Sequence, residues 1–372
     1  MGTPKLDVDA ILADPAIRIV VCCGSGGVGK TTTAAALAVR AAERHNRRTV
    51  VLTIDPARRL AQALGLTELD NTPRLVKGLQ PDSAELQAMM LDMKRTFDEV
   101  VLEHTDPKRA EEIFANPFYQ AMSSTFSGTQ EYMAMEKLGQ LRARDEWDLI
   151  VVDTPPSRSA LDFLDAPARL SRFLDGKMLR LLLAPARAGG RSVFNLVSAS
   201  FGLFSRTVTK ILGAQLLTDL SGFVGALDSM FGGFRERAEQ TYRVLQAPET
   251  AFLVVAAPEP DAVREAVYFA GRLAADRMPL AGLVLNRVVS VPAALPADEA
   301  RAAAERLDEV GGHSATAEVL RVHAELADQR DRQAAVSGRF LRAHPGVPVV
   351  KIPAQPADVH DLDGLRAIGN SF

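Results

Sequence analysis

The segment Gly24–Thr31 constrains this chain more than any other, because it reads Gly-Ser-Gly-Gly-Val-Gly-Lys-Thr. It matches the pattern G-x-x-x-x-G-K-[ST], in which glycines let backbone N–H groups turn toward phosphate oxygens. The pattern is meaningful only between a strand and a helix. An apolar run at Ile17–Cys23 precedes it and the helical pattern Thr31–Arg44 follows. The context therefore predicts a phosphate-binding loop.

Short apolar runs rich in Val, Ile and Leu indicate strands that are buried on both faces. Continuous rather than alternating hydrophobicity predicts a parallel sheet with helices on both sides. The runs are Ile17–Cys23, Arg48–Asp55, Trp147–Thr154, Ala251–Ala257, Leu280–Val288 and Val347–Ile352, with Leu86–Met93 as a weaker candidate. The predicted fold class is α/β, with a doubly wound, mostly parallel sheet.

Two regions interrupt the alternation of strands and helices. Residues 94–145 and 160–246, with approximate bounds, are helical in pattern and rich in Phe, Met and Leu. They predict a helical subdomain inserted into one domain that covers all 372 residues. The stretch Ala297–His344 is rich in Ala, Glu and Arg and predicts two surface helices separated at Gly311 and Gly312.

Composition limits the compartment and the partners. The formal net charge is −3, so no surface suited to nucleic-acid phosphates is indicated. The two cysteines, Cys22 and Cys23, are neighbours on a strand and point to opposite faces, which excludes a disulfide framework. Met1–Pro15 has no signal-peptide core, and no run of about 18 apolar residues occurs. These features predict a cytoplasmic protein, with a peripheral position at a membrane left open.

The motif assigns chemistry to four side chains. Lys30 is expected to reach the β- and γ-phosphates, and the Thr31 hydroxyl to ligate Mg²⁺. Asp55 and Asp153 each end a predicted strand, so both should face the loop across the carboxyl edge of the sheet. Asp153 would hold Mg²⁺ directly or through water, and Asp55 would orient or deprotonate the attacking water. A capping role stays open for both aspartates.

These residues resemble the ArsA/Get3 group of ATPases, P-loop proteins with a deviant Walker A motif. The resemblance is carried by the loop Gly24–Thr32, by Ile54-Asp55-Pro56-Ala57 and by Val152-Asp153-Thr154, and it runs over nearly the whole chain. It implies that the ligands are ATP and Mg²⁺. It also implies that Asp55 is the catalytic aspartate of switch I and that Asp153 opens switch II.

The resemblance extends to the base of the nucleotide. It implies that Asn286 reads adenine and that Pro353–Asp361 forms a loop on the adenine side, although asparagine is also a common turn residue at strand ends. No Asn-Lys-x-Asp motif follows the later strands, which disfavours a GTPase. The candidate nucleotide-binding residues are Gly24, Ser25, Gly26, Gly27, Val28, Gly29, Lys30, Thr31, Thr32, Asn286 and Pro353.

The chain departs from the group's pattern at three positions. The second loop position is normally a lysine that crosses a dimer interface, and here it is Ser25, which carries no charge. We expect either that Arg58 or Arg59 substitutes, or that a paralogous partner supplies the lysine, and intrinsic hydrolysis could be weak. In switch II the usual Gly and His are replaced by Arg158 and Ser159.

Thiolate chemistry of the group is not expected here. Arsenite binding and the structural zinc of tail-anchored-protein targeting members both use cysteines, and Val289–Val347 contains none. We therefore expect neither arsenite nor zinc as a ligand. His313, His323 and His344 have no evident ligand set and are predicted to be surface residues.

The helical regions offer the best indication of what the ATP is used for. In the targeting relatives such helices form a groove for a client's membrane helix, and Met-rich surfaces suit varied apolar partners. The same residues could equally be plain core. The residues concerned are Phe118–Met122, Tyr132–Met135, Met178–Leu183, Phe194, Phe201, Phe204, Leu216, Leu217, Phe223 and Phe231.

Three functions stay open on the sequence alone. The first is an ATP-switched dimer that handles a membrane protein or another hydrophobic client. The second is a regulatory nucleotide-binding subunit paired with an active paralogous ATPase, which Ser25 favours. The third is a positioning ATPase of the MinD/ParA kind, which needs a basic surface or a terminal amphipathic helix. Asp361–Phe372 is short and not basic, which argues against the third.

Overall fold

The structure, a computed structural model, describes residues 4–55, 59–117, 119–120, 123, 129–155, 236–311 and 313–372. The chain divides into two compact units. Unit 1 comprises Met1–Met90, Arg144–Ala160 and Val244–Phe372, and unit 2 comprises Leu91–Ala143 and Leu161–Arg243. The prediction of one domain with helical insertions at about 94–145 and 160–246 stays a prediction, and most of the second insertion lies outside the described residues.

Unit 1 contains, among its described residues, a sheet of eight strands. Neighbouring strands run parallel, except that β3 at one edge is antiparallel to β4. In spatial order the strands are β3 (Arg74–Leu75), β4 (Leu86–Met90), β2 (Thr49–Thr53), β5 (Leu149–Asp153), β1 (Ile19–Cys23), β6 (Thr250–Ala256), β7 (Leu280–Val288) and β8 (Val349–Pro353). The predicted α/β class with a doubly wound, mostly parallel sheet is confirmed.

The strand order brings several carboxyl ends to one point. β1 lies between β5 and β6, so the chain leaves the centre first toward β2 and β4, then returns and leaves toward β7 and β8. Asp153 at the end of β5 is the register partner of both Cys22 on β1 and Thr53 on β2. In open parallel sheets ligands bind beyond such strand ends where the order reverses. The topology thus places a candidate site above β1, β2 and β5.

Helices accompany the sheet in unit 1, and a second set of helices makes up the described part of unit 2. Unit 1 holds α1 (Val8–Ala13), α2 (Lys30–Arg44), α3 (Arg59–Ala63), α7 (Pro260–Ala275), α8 (Ala297–Val310), α9 (Ser314–Ala343) and α10 (Leu362–Gly369). Unit 2 holds α4 (Met93–His104), α5 (Pro107–Ala115) and nearly all of α6 (Thr129–Arg144), and residues 236–246 are also helical. The buried face of α2 is largely alanine, which lets the helix approach β1, β2 and α10 closely.

The described part of unit 2 has its own packed interior. Asp92 and Asp106 cap α4 and α5 by accepting hydrogen bonds from the backbone N–H groups of Arg95 and Arg109. Tyr119 is buried, its ring 5.6 Å edge-on from that of Phe97. Its hydroxyl donates to Asp98 Oδ1 at 2.6 Å.

The structure describes the side chains of five of the residues named for the groove. Tyr119, Met133, Ala134 and Met135 are buried, so at these positions the core interpretation applies, whereas Gln120 is exposed. Phe118, Met122 and the segment 160–235 lie outside the described residues.

Most sequence-based element predictions are confirmed, with trimmed ends. The helical stretch Ala297–His344 is two helices, as expected, because α8 ends at Val310 and α9 begins at Ser314. The surface prediction for His323 is wrong: the residue is buried on α9, with Nε2 2.9 Å from the Leu295 carbonyl oxygen. Exposed His313 agrees with the prediction.

Two further observations concern the whole of the described chain. None of its helices is both long enough and apolar enough to cross a lipid bilayer. Cys22 and Cys23 are free thiols buried in the middle of the sheet, and burial raises the pKa of both, that of Cys23 to about 12.

Candidate functional site

The loop between β1 and α2 depends on glycine where it leaves the strand. A Cβ on Gly24 would lie 2.1 Å from the Val255 carbonyl oxygen at the end of β6, so no larger residue fits. Farther along, Gly29 has φ +91° and precedes the first residue of α2. The outer glycines, Gly26 and Gly27, are exposed. The loop is thus pressed against the sheet at its start and open to solvent at its turn.

Lys30 is a buried cation inside this loop. Its side chain is only 6% exposed, and Nζ donates a hydrogen bond of 2.8 Å to the backbone carbonyl oxygen of Ser25. Burial lowers the pKa of Lys30, while the nearby carboxylate of Asp153 acts in the opposite direction. One carbonyl hydrogen bond offsets only part of the cost of burying the charged ammonium group. An anion bound in the loop would form a stronger, charge-assisted hydrogen bond with it.

Asp153 is the electrostatic centre of the site. Its side chain is fully buried, and Oδ2 accepts hydrogen bonds from the hydroxyls of Thr31 at 2.8 Å and Thr53 at 2.9 Å. Oδ1 is buried and has no hydrogen-bond partner among the described residues. Burial raises the pKa of Asp153 to about 6, although both hydroxyls and Lys30 favour the charged form. A buried carboxylate oxygen without a partner requires a ligand or a water molecule.

Asp55 lies next to this centre at the end of β2. It is half-buried, and its backbone N–H donates to Thr53 Oγ1 at 3.2 Å. Because the same hydroxyl donates to Asp153, Thr53 joins the two strand-end aspartates. Asp153 thus contacts the loop through Thr31, and Asp55 is linked to Asp153 through Thr53. The roles predicted for the two aspartates stay predictions.

Asn286, on β7, contacts the loop by a side-chain hydrogen bond. Its Nδ2 donates to the Val28 carbonyl oxygen at 2.9 Å, and its Oδ1 accepts from the Arg287 N–H at 2.9 Å. Pro353 ends β8, is exposed, and is the register partner of Val288, two residues beyond Asn286. The site residues of the loop, β2, β5 and β7 therefore meet, whereas Pro353 lies one strand farther out.

Comparison with known proteins identifies the family of the chain. The model of the family described as anion-transporting ATPase matches residues 17–306. The chain belongs to this family. The matched segment includes the loop, both strand-end aspartates and Asn286.

Several relatives of this chain are named ATPases. The chain is 23% identical over 370 residues to ATPase GET3A of Arabidopsis thaliana, covering 99% of this chain and 87% of that protein. It is 25% identical over 283 residues to ATPase ASNA1 homolog 2 of Paramecium tetraurelia, covering 75% and 78%. It is 29% identical over 164 residues to ATPase GET3 of Malassezia globosa, where it spans only 46% of the relative.

The structural roles of two threonines were not predicted from the sequence. Thr53 bridges Asp55 and Asp153, and the buried Thr154 donates its hydroxyl to the Cys22 carbonyl oxygen at 2.9 Å, joining β5 to β1. Their position could have marked them as site residues, because each is a polar residue that ends or directly follows an otherwise apolar strand. Arg58, Arg158 and Ser159 lie outside the described residues, and Arg59 is exposed at the start of α3.

Proposed function

We propose that this chain binds ATP and Mg²⁺ at the loop Gly24–Thr31 and hydrolyses the nucleotide. The observation that carries the proposal is the contact between the Thr31 hydroxyl and Asp153, whose other carboxylate oxygen is buried without a hydrogen-bond partner in the described part of the chain. Family membership supports it, because several relatives are named ATPases.

The phosphates would occupy the turn of the loop. Its glycines leave backbone N–H groups free to face an anion, and the first turn of α2 adds the positive end of a helix dipole. Lys30 already lies inside the loop on the Ser25 carbonyl oxygen. In the proposal its ammonium exchanges this carbonyl for the β- and γ-phosphate oxygens, which form stronger, charge-assisted hydrogen bonds.

The donor set fits magnesium. Mg²⁺ prefers hard oxygen ligands and retains several waters, and a hydroxyl beside a carboxylate suits such an ion. Thr31 would ligate it, and Asp153 would hold it directly or through a water at Oδ1. When bound, the ion neutralises charge on the phosphate oxygens.

Asp55 is proposed to orient or deprotonate the attacking water. Its half-buried carboxylate lies at the end of β2, and the hydrogen bond from its backbone N–H to Thr53 fixes the chain at that point. A base must be held within hydrogen-bond reach of the proton it takes. Thr53 therefore ties the proposed base to the proposed metal ligand.

Asn286 is proposed to read the base, with Pro353 on the same side. An asparagine amide can donate to N7 of adenine and accept from its N6 amino group. After its contacts with Val28 and Arg287, and counting only the described residues, the Asn286 amide retains one hydrogen on Nδ2 and one lone pair on Oδ1. This pair of groups matches adenine.

For the whole protein we propose a nucleotide-switched dimer that handles a membrane protein or another hydrophobic client from the cytoplasm, with peripheral membrane contact. The support is the family resemblance and the apolar composition of 160–246. The absence of cysteine from 289–347 argues against arsenite and structural zinc, and the net charge argues against nucleic acid. The second candidate is a regulatory subunit paired with an active paralogous ATPase, favoured by Ser25; a MinD/ParA-like role is the least supported.

Lys30→Ala tests the nucleotide site. We expect ATP with Mg²⁺ to raise the melting temperature of the unaltered protein, and to raise that of the Lys30→Ala variant not at all, because the phosphates lose their buried cation. Lys77→Ala, which removes an exposed lysine, is the matched control and should behave like the unaltered chain. A full ATP-dependent shift in Lys30→Ala would reject the site. Brisk hydrolysis by the purified chain alone would count against the regulatory-subunit alternative.

A further inference from the structure

The strand that carries Asn286 is irregular at that residue. The pairing of β7 with β8 shifts register between Leu285 and Val288, which is a bulge in the strand. Arg287, inside the bulge, has φ +61°, a left-handed conformation that non-glycine residues seldom adopt. Such a conformation persists only where surrounding contacts hold it.

The bulge determines how the Asn286 amide is oriented. Because the Arg287 N–H can only donate, the atom it contacts must be Oδ1, and because the Val28 carbonyl can only accept, the other atom must be Nδ2. A Cβ on Gly29 would lie 2.3 Å from Nδ2, so the loop leaves the amide little room to move. The orientation is fixed as long as Arg287 keeps its left-handed backbone.

One side chain from a distant helix holds the bulge. Gln333 lies in the middle of α9, and its Oε1 accepts a 2.8 Å hydrogen bond from the Val289 N–H. Its Nε2 lies 3.5 Å from the Arg287 carbonyl oxygen, a longer and weaker contact. Gln333 therefore contacts the backbone on both sides of Val288, the residue that follows Arg287. The helix α9 is itself packed against α7 and α8.

We propose that Gln333 is a positioning residue for Asn286 and through it sets a preference for adenine over guanine nucleotides. This rests on the proposed function of the site. Adenine presents a donor and an acceptor, N6 and N7, to a fixed asparagine amide, whereas guanine presents two acceptors, O6 and N7. With Oδ1 locked in place, guanine O6 would face another acceptor. If the amide could rotate, that penalty would fall.

The test compares Gln333→Met with Gln333→Glu in the full chain. Methionine keeps the length of the side chain but accepts no strong hydrogen bond, whereas glutamate keeps the acceptor for the Val289 N–H. Dissociation constants for ATP and GTP, each with Mg²⁺, are measured by calorimetry. We expect Gln333→Met to lower the ratio of GTP to ATP dissociation constants about five- to tenfold. Gln333→Glu should keep the ratio within about twofold, because the added charge acts on both triphosphates alike.

Control variants separate this proposal from the assignment of the site. Gln329→Met makes the same change one turn earlier on α9, at an exposed position, and should leave the ratio unchanged. Asn286→Ala should lower the ratio at least as much as Gln333→Met. The proposal is overturned if Gln333→Met leaves the ratio unchanged, if Gln329→Met lowers it equally, or if the unaltered chain binds both nucleotides alike. If the Gln333 proposal is overturned in one of these ways while Lys30→Ala binds neither nucleotide, the phosphate site is still supported and only the role of Gln333 is rejected.

Discussion

Asp153, Thr53 and Asp55 form the smallest unit on which the proposed chemistry depends. The Thr53 hydroxyl donates to the buried Asp153 carboxylate and accepts from the backbone of Asp55. Burial disfavours charge on Asp153, yet two hydroxyls and a lysine stabilise that charge, so the carboxylate is prepared for a cation. Asp55 has a different setting, half-buried at the strand end. Two aspartates in similar sequence positions thus have different surroundings, which is the basis of the different roles proposed for them.

Asp55→Asn tests the division of roles. We expect ATP to bind with an affinity within a few-fold of the unaltered protein, because the phosphate loop is untouched. Turnover should fall at least about 100-fold, since an amide cannot take a proton from water. Calorimetry for binding and phosphate release for turnover measure the two effects. Hydrolysis at the unaltered rate would assign Asp55 a structural role instead.

At the scale of elements, hydrophobic runs predicted six strands to within about two residues. Four of them, β1, β2, β5 and β6, are buried along their whole length, and the edge strand β8 is not. The strands Arg48–Asp55 and Trp147–Thr154 are shorter than expected, since the ladder stops where polar strand-end residues begin. β3 was missed because two residues, one charged, carry no periodicity.

The candidate site was predictable where the chemistry is local and not where it depends on distant partners. The loop is contiguous in sequence, and the two aspartates follow from the rule that parallel strands end at one edge. Gln333 could not be found, because its partner Val289 lies 44 residues away and a glutamine on a helix is usually solvated. The bulge at Arg287 likewise leaves no mark in the hydrophobic pattern of β7.

Arg47 illustrates how an element is fixed by a single buried side chain. It lies between α2 and β2, and its guanidinium donates to four backbone carbonyl oxygens. These belong to Leu12, Asp14, Ile17 and Asp148. The residue therefore joins the end of α1 and the starts of β1 and β5.

We expect Arg47→Met to lower the free energy of unfolding by about 2–4 kcal/mol, because the carbonyls lose a charged donor while remaining partly buried. Urea denaturation of the ligand-free protein measures it. Arg48→Met is the matched control, since Arg48 is exposed in its ion pair with Asp148, and should change stability little. Equal losses in the two variants would show that burial of the guanidinium is not what matters.

At the scale of the whole molecule, stability should depend on pH through a cluster that joins α1 to α2. Asp9 accepts two hydrogen bonds from Arg40, at 2.6 and 2.7 Å, and lies 2.9 Å from His45 Nε2. The hydrogen bonds from Arg40 hold the pKa of Asp9 well below its ordinary value, against the opposing effect of burial. A carboxyl with a lowered folded-state pKa stabilises the fold above its unfolded pKa, about 3.9, and loses that contribution as pH falls.

Asp9→Asn should therefore reduce stability near neutral pH and flatten its fall in acid. Because Asp9 is 44% exposed, solvent screening limits the effect to about 1 kcal/mol or less. Urea denaturation of both proteins between about pH 3 and pH 8 measures it, and the difference between the two curves should begin to narrow as pH falls below the unfolded pKa of about 3.9. Parallel curves across that range would mean that Asp9 does not contribute through its charge.

The two thiols of β1 have a practical consequence. Cys22 and Cys23 are the only cysteines of the chain, and both are enclosed in its central strand. An alkylating reagent can reach them only after the packing that covers the two faces of that strand opens, since both thiols are buried in the folded protein. The rate of alkylation therefore reports how often the middle of unit 1 unfolds locally, without any introduced probe. Slower alkylation in the presence of a ligand would show that the ligand stabilises this part of the sheet against local unfolding.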